Sequence, residues 1–281
     1  MSSPQSQIPN PKSPISKPLV PELRDGQAIK VIGLGGVGGI VARYGAIFLA
    51  PLTTGRSGRL VLIDGDAFEP GNATRMFFSD CGNKAAVTLA ELRPRFVDSG
   101  LELSAVEEYV TPENLKRLIH LGDIVLLCVD NHATRKLVSD FCATLDDVVL
   151  ISGGNDGIGE DASGRFHQGT YGNCQCYLRR NGRDLSPSLT RYHAEIENPQ
   201  DELPTEEDCI TAATSVPQLL LANLATASSI LNALWLYLCG AIHYSELAFD
   251  IGLGLMKPLS LPAPQLGKPA DEPARAPVRP R

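Results

Sequence analysis

Hydrophobic positions in the first half of the chain follow two alternating periods. Short continuous runs rich in Val, Ile and Leu occur at "IKVIGL", "GRLVLID", "LELSAV", "DIVLLCVD" and "DVVLISG", and each gives way to apolar residues three and four apart. Continuous runs of this length predict strands buried on both faces, while the wider spacing predicts helices with one buried stripe. The expected order is a strand at 29–34, a helix at 37–50, a strand at 58–64, a helix at about 83–96 and a strand at 101–106. A helix at about 112–120, a strand at 123–130, a helix at about 132–144 and a strand at 147–153 complete it. Repeated strand–helix units predict an α/β fold, a doubly wound Rossmann-like sheet that is mostly parallel. Residues 152–208 break this pattern. They are polar and turn-rich, with "SGRFHQGTYGNCQCYLRR" reading as a hairpin and "NPQDELPTEED" as a loop, so an appended antiparallel or crossover region is expected over 152–215.

No Asp, Glu, Lys or Arg occurs from Cys209 to Ser245, and "PQLLLANLATASSILNALWLYLCGA" is long enough to raise the question of a membrane span. Asn223, Thr226, Ser228, Ser229 and Asn232 interrupt it, and no Lys or Arg bias at its ends sets an orientation. A buried core helix is the expectation, with no membrane partner. Residues 1–22 and 258–281 are rich in Pro, Ser and Gln and poor in large apolar residues, which predicts unstructured extensions on either side of one domain at 23–257. The mildly basic end, "KPADEPARAPVRPR", reads as a solvated tail.

A chain of 281 residues, 43% hydrophobic, can build a substantial core. Its net charge of −7 and pI near 5.3 argue against a dedicated nucleic-acid binder, which needs a basic face for phosphates. Seven scattered cysteines, at 81, 128, 142, 174, 176, 209 and 239, and a first segment without an apolar signal core predict free thiols and a cytoplasmic protein.

Candidate chemistry begins at "VIGLGGVGG". Gly33, Gly35 and Gly38 fit G-x-G-x-x-G between a strand and a helix, where bare main chain and a positive helix end attract phosphate oxygens. Asp64 closes the next strand, where an acidic residue grips a ribose. Alone, these residues fit a dinucleotide, and a nicotinamide-dependent oxidoreductase is one reading. The stretch "LIDGDAFEPGNATRMFFSDCGNK" adds Asp66, Asn72, Arg75 and Lys84, and a triphosphate calls for such fixed cations where a pyrophosphate bridge does not. Asn72 taken singly reads as a turn residue, and Arg75 and Lys84 as solvated helix-cap residues. "DIVLLCVDNHATR" then sets Asp130 at the C-terminal edge of a later strand, where a carboxylate can hold Mg²⁺ against phosphates or cap the next helix. His132 beside it reads as a helix-surface residue.

The ordered set G-x-G-G-x-G, D-x-D, N-x-x-R, a following Lys and D-N-x-x-x-R resembles the ThiF/MoeB/HesA family, bacterial relatives of ubiquitin-activating enzymes, over residues 24–257. The resemblance implies ATP with Mg²⁺, and adenylation of the C-terminal carboxylate of a small ubiquitin-like or sulfur-carrier protein that ends in Gly-Gly. It implies that Gly33, Gly35, Gly36 and Gly38 line ATP, with Asp64 on the ribose and Asp66 close behind. Asn72, Arg75 and Lys84 would bind phosphates and Asp130 the metal. It further implies a homodimer and, where a thioester forms, a conjugating-type enzyme as partner. In the family, a cysteine at the spacing of Cys209 lies in a loop crossing over the adenylate and in some members forms a covalent link. Here Glu206, Glu207 and Asp208 would raise its pKa, and a small loop residue beside the core is the other reading. Zinc is not expected, because Cys174 and Cys176 form C-x-C with no second pair. The R-Y-x-R-Q helix that lends an arginine to the partner subunit's site is missing, and Arg24 is the nearest candidate. A catalytically idle nucleotide-binding module is the remaining alternative.

Overall fold

The computed structural model describes residues 18–74, 76–160, 164, 166–205 and 218–261. Strand β1 (Gln27–Ile32) turns through glycines into helix α1 (Gly38–Leu49), and β2 (Gly58–Ile63) returns parallel to β1. A small ribbon of β3 (Ala67–Phe68) and β4 (Gly82–Asn83) leads into α2 (Lys84–Phe96) and then β5 (Leu101–Val106), parallel to β2. The single turn α3 (Leu115–Leu118), β6 (Ile124–Leu127), α4 (His132–Cys142) and β7 (Val148–Asn155) complete a parallel sheet in the order β5-β2-β1-β6-β7. The chain moves outward from β1 in both directions, so the C-terminal ends of β1 and β6 flank the switch point where such sheets bind ligands. Each expected strand and helix of this half is present. The helix expected at 112–120 is shorter, because Ile119 already takes an extended conformation.

The second half departs from expectation. β8 (Ile158–Glu160) pairs with β9 (Phe166–Gln168), and β10 (Tyr171–Arg180) runs antiparallel to β7 over eight register pairs. The segment expected to be a hairpin therefore splits, its first arm pairing backwards with β8 and its second joining the main sheet. The stretch expected as an appended region supplies an inner strand. β10 looks polar in sequence but is covered on both faces, with Cys174, Cys176 and Tyr177 buried. Its polar residues meet partners brought alongside by the fold, as Asn173 donates to Glu246 (2.9 Å) and the Gln175 side-chain amide to the Leu189 carbonyl (3.2 Å). The two-residue β11 (Arg183–Asp184) folds back on β10, and α5 (Ala194–Glu197) follows.

Helix α6 (Leu220–Leu238) packs on β7, β10 and α1. It is long and apolar enough to span a membrane, yet half of it is inside the fold. Two strands not expected from the sequence close the sheet, β12 (Tyr244–Asp250) beside β10 and β13 (Leu255–Ser260) at the edge. β13 runs into the tail expected to be unstructured from 258, with Pro258 accommodated on an edge strand where one missing N–H costs little. At the other end, order begins before residue 23. Leu19 packs on the core, and the Glu22 amide donates to the Leu238 carbonyl (3.0 Å).

Two apolar layers sandwich the sheet. Ile29, Val31, Leu60, Leu62, Leu126 and Ile151 face α1, α2 and α6, while Ile32, Ile63, Val125, Leu127 and Leu150 face α3 and α4. Each fully buried aliphatic side chain contributes about 1.5–3 kcal/mol. That rigid slab holds the loops at the C-terminal edge in place.

Candidate active site

The loop from Gly33 to Gly38 fits only if two of its residues lack a Cβ. Gly33 has φ +84° and lies where a side chain would press on Val129 at 2.8 Å, which also shows the loop resting against the end of β6. A Cβ on Gly38 would fall 1.7 Å from the Gly33 carbonyl oxygen, so strand and helix can close this tightly only with glycine. Beside Gly35 there is open space, with nothing within 4 Å of a Cβ position. α1 starts at this loop with no side-chain cap; the Gly39, Ile40 and Val41 amides donate to the Gly35 and Val37 carbonyls, while among the described residues the amides from Gly35 to Gly38 take no partner and are left for a ligand.

Asp64 locks the loop to β2. Its Oδ2 accepts from the Leu34 amide (2.5 Å) and its Oδ1 from the Asp66 amide (2.8 Å). The carboxyl is only 8% exposed, and burial lifts its pKa above the usual value of 3.8 against the opposing pull of the Leu34 amide and the Lys84 charge. Asn83 ties the next turn together. Its Nδ2 donates to the Asp64 (2.9 Å) and Asp66 (3.2 Å) carbonyls, while its Oδ1 caps α2 through the Ala85 (2.9 Å) and Ala86 (3.1 Å) amides. That cap fixes Lys84, the first residue of α2, whose buried ammonium pairs with the more exposed Asp66 carboxylate. Asn72 acts in its own turn here, accepting from the Glu69 amide (3.0 Å). Arg75 and Cys209 lie outside the described residues.

Asp130 follows β6 as an exposed side chain, and among the described residues its carboxylate takes no hydrogen bond or ion pair. It is not the cap of α4. Asn131 fills that place, accepting from the Thr134 amide (2.7 Å), and Asp201 adds a second acceptor to the His132 (2.7 Å) and Ala133 (2.8 Å) amides. Asp130 is thereby left available for a cation. His132 is not a surface residue as expected. It is half-buried, its Nδ1 has no partner, and burial lowers its pKa, with the Arg135 charge adding to the effect. Arg135, the last position of D-N-x-x-x-R, was given no role from sequence. It is buried and clamps the ends of β6 and β7, donating to the Val129 carbonyl (3.0 and 2.8 Å) and the Gly153 carbonyl (3.1 Å). Burial lowers its pKa, while the nearby Asp130 charge pushes it up.

The switch point thus gathers free loop amides, a buried carboxylate at Asp64, a cation at Lys84 and, among the described residues, an unpaired carboxylate at Asp130. The sequence profile of the ThiF family matches residues 13–240. The chain belongs to the ThiF family. It is 32% identical over 116 residues to the vegetative HesA protein of Trichormus variabilis, covering 41% of each chain. It is 31% identical over 133 residues to the sulfur carrier protein ThiS adenylyltransferase of Escherichia coli, covering 47% of this chain and 50% of that one. The chain therefore spans half or less of the length of these relatives. In fold it is similar to crystallised E. coli MccB with ATP, at a TM-score of 0.58 and 16% identity, over 84% of this chain and 63% of that one. MccB with AMPCPP and its MccA partner gives 0.57 and 16%, over 84% and 64%. At such identity the likeness bears on the fold alone, and it agrees with the doubly wound sheet. Among the described residues no group of three or more His, Cys, Asp or Glu side chains is placed to hold a metal ion by itself.

Proposed function

We propose that this protein uses ATP to adenylate the C-terminal carboxylate of a small ubiquitin-like or sulfur-carrier protein. The observation that carries the reading is the pairing of an uncapped glycine loop with Lys84 on one side and an unengaged Asp130 on the other, in a ThiF-family chain. The ThiS adenylyltransferase is named for a sulfur carrier protein, which favours a protein-borne carboxylate over a nicotinamide substrate.

The loop amides and the start of α1 take phosphate oxygens, and Asp64 accepts from the ribose hydroxyls. Lys84 exchanges Asp66 for a phosphate, an exchange made easier because Asp66 is half-exposed and water can take over its solvation. Arg75 joins them by its place in the family motif. Asp130 would hold Mg²⁺, which takes one or two carboxylates together with phosphate oxygens and would offset their charge. A carboxylate oxygen of the partner attacks the α-phosphorus. The bond to the bridging oxygen of the β-phosphate breaks, and pyrophosphate leaves with the electron pair. The nucleophile is already ionised, so no base is needed; positioning and charge neutralisation carry the step. The Cys209 thiolate, its proton lost to water, would then attack the acyl carbon of the adenylate and expel AMP to leave a thioester, with a conjugating-type enzyme downstream; persulfide chemistry at Cys209 would require a separate sulfane-sulfur donor. A narrow approach beside nucleotide favours a partner ending in Gly-Gly.

Purified protein, ATP, Mg²⁺ and a small protein ending in Gly-Gly encoded beside it should support exchange of labelled pyrophosphate into ATP. Folded protein that binds ATP yet never exchanges pyrophosphate would identify the idle-module alternative. A partner adduct on a non-reducing gel should vanish in Cys209→Ala, and an adduct that survives removes Cys209 from the mechanism.

A further inference from the structure

The start of α6 meets the glycine loop through one side chain. A Cβ placed on Gly36 would lie 2.3 Å from Asn223 Nδ2 and 3.2 Å from its Cγ, so the carboxamide fills the space a side chain would take. Asn223 is 1% exposed, and among the described residues neither its Nδ2 nor its Oδ1 has a hydrogen-bond partner. Other buried polar residues of α6 are served within the helix, Thr226 donating to the Ala222 carbonyl and Ser229 to the Ala225 carbonyl, both at 2.9 Å. Asn223 alone presents donors and an acceptor to the loop without receiving anything in return. Unmet polar groups in the interior destabilise, and leucine would fill the same shape without that cost.

The loop can supply both kinds of partner. A peptide unit offers one N–H and one C=O, matching the Oδ1 acceptor and Nδ2 donors of a carboxamide. The Gly35 carbonyl is engaged by the Gly39 amide (3.0 Å), but the Gly36–Val37 peptide takes no hydrogen bond among the described residues, and glycine before it leaves that unit free to turn. Helix α6, like α1, begins without a side-chain cap, and Asn223 lies in its first turn.

We propose that Asn223 is a positioning residue for the glycine loop. When phosphate oxygens draw on the loop amides, the Gly36–Val37 peptide turns and pairs with the Asn223 carboxamide. The side chain is unmatched in the conformation seen here and matched in the nucleotide-bound one, and the recovered hydrogen bonds strengthen binding. This rests on the ATP reading only as far as the anion is a nucleotide.

The test compares wild type with Asn223→Leu and Asn223→Ala, by thermal melting without ligand and by calorimetric titration with Mg·ATP and with inorganic pyrophosphate. The expected result is a melting temperature for Asn223→Leu at or above wild type, together with at least tenfold weaker binding of both ligands. A side chain that only fills space would move the melting temperature and leave affinity alone, so affinity within twofold of wild type overturns the proposal. Should Asn223→Leu fail to fold, Asn223→Ala carries the same affinity comparison. Wild type that binds pyrophosphate but not Mg·ATP sinks the ATP reading, while the pyrophosphate ratio still decides the role of Asn223. Wild type that binds neither overturns both.

Discussion

Two glycines in the same loop are held by different demands. Gly38 is required by the fold, since its Cβ would overlap the Gly33 carbonyl oxygen, while Gly35 faces open space that a ligand would use. Gly38→Ala should therefore destabilise the whole protein, by about 3 kcal/mol or more, as overpacking against rigid backbone does. Gly35→Ala should leave stability within about 0.5 kcal/mol and weaken Mg·ATP binding at least tenfold. Denaturant titration and calorimetry on the two variants check the contrast, and equal stability losses would show that the space beside Gly35 serves the fold instead. Both glycines were legible in the sequence, as were Asp64 and Lys84, because the motif fixes residue type and spacing together. Asp130 was legible only as a metal ligand or a cap, and the structure removes the cap, because Asn131 accepts from the Thr134 amide, while the metal role stays a proposal. Asn223 was not legible at all. It lies in a different helix far along the chain, and only the folded contact with Gly36 gives it meaning.

At the scale of elements, the parallel strands were legible because they are buried on both faces and therefore apolar throughout. β10 was not, because its inward polar residues are paid for by partners distant in sequence, above all Glu246 on β12. That pairing carries a testable charge. His193 sits between Glu246 (3.1 Å) and Glu195 (2.8 Å), and the Glu246 hydrogen bond, the largest cause, raises its pKa above 6.5 despite burial. Asn173 also faces Glu246, and His132 lies nearby with its pKa shifted downward. A raised histidine pKa stabilises the fold fully below pH 6.5, and this contribution is lost as pH rises through the folded value. The lowered His132 titrates below 6.5 and has the opposite sign, so above that pH His193 governs. The melting temperature should fall as pH rises from 6.5, and His193→Gln should flatten that slope. A slope unchanged in His193→Gln would assign the effect elsewhere.

For the whole molecule, the sequence marked one domain but misplaced its ends, because Leu19 and β13 join the fold through tertiary contacts that composition does not reveal. It read α6 as a buried core helix, and half of that helix is inside the fold. Its outer side, with Leu221 and Leu224, runs beside Tyr44 of α1, and a groove of about 570 Å³ lined by Ile40, Tyr44, Phe48, Leu231 and Trp235 lies between the helices. The groove lining contains no Asp, Glu, Lys, Arg or His, so two copies can meet there without like-charge repulsion, and we propose this face as the seam of a homodimer. Light scattering should give twice the chain mass of 30.1 kDa, and Tyr44→Arg should shift it towards one. A wild type that is monomeric at high concentration would refute the seam.

The central claim is that the switch point is built for a triphosphate, with Lys84 among its phosphate ligands. Calorimetric titration of wild type and Lys84→Ala with Mg·ATP and with NADH addresses it directly. The account predicts one ATP per chain, weaker binding of NADH, and a loss of ATP affinity of about tenfold or more in Lys84→Ala, as for a charge-assisted phosphate contact. NADH binding as tight as ATP, or ATP affinity indifferent to Lys84, would contradict it.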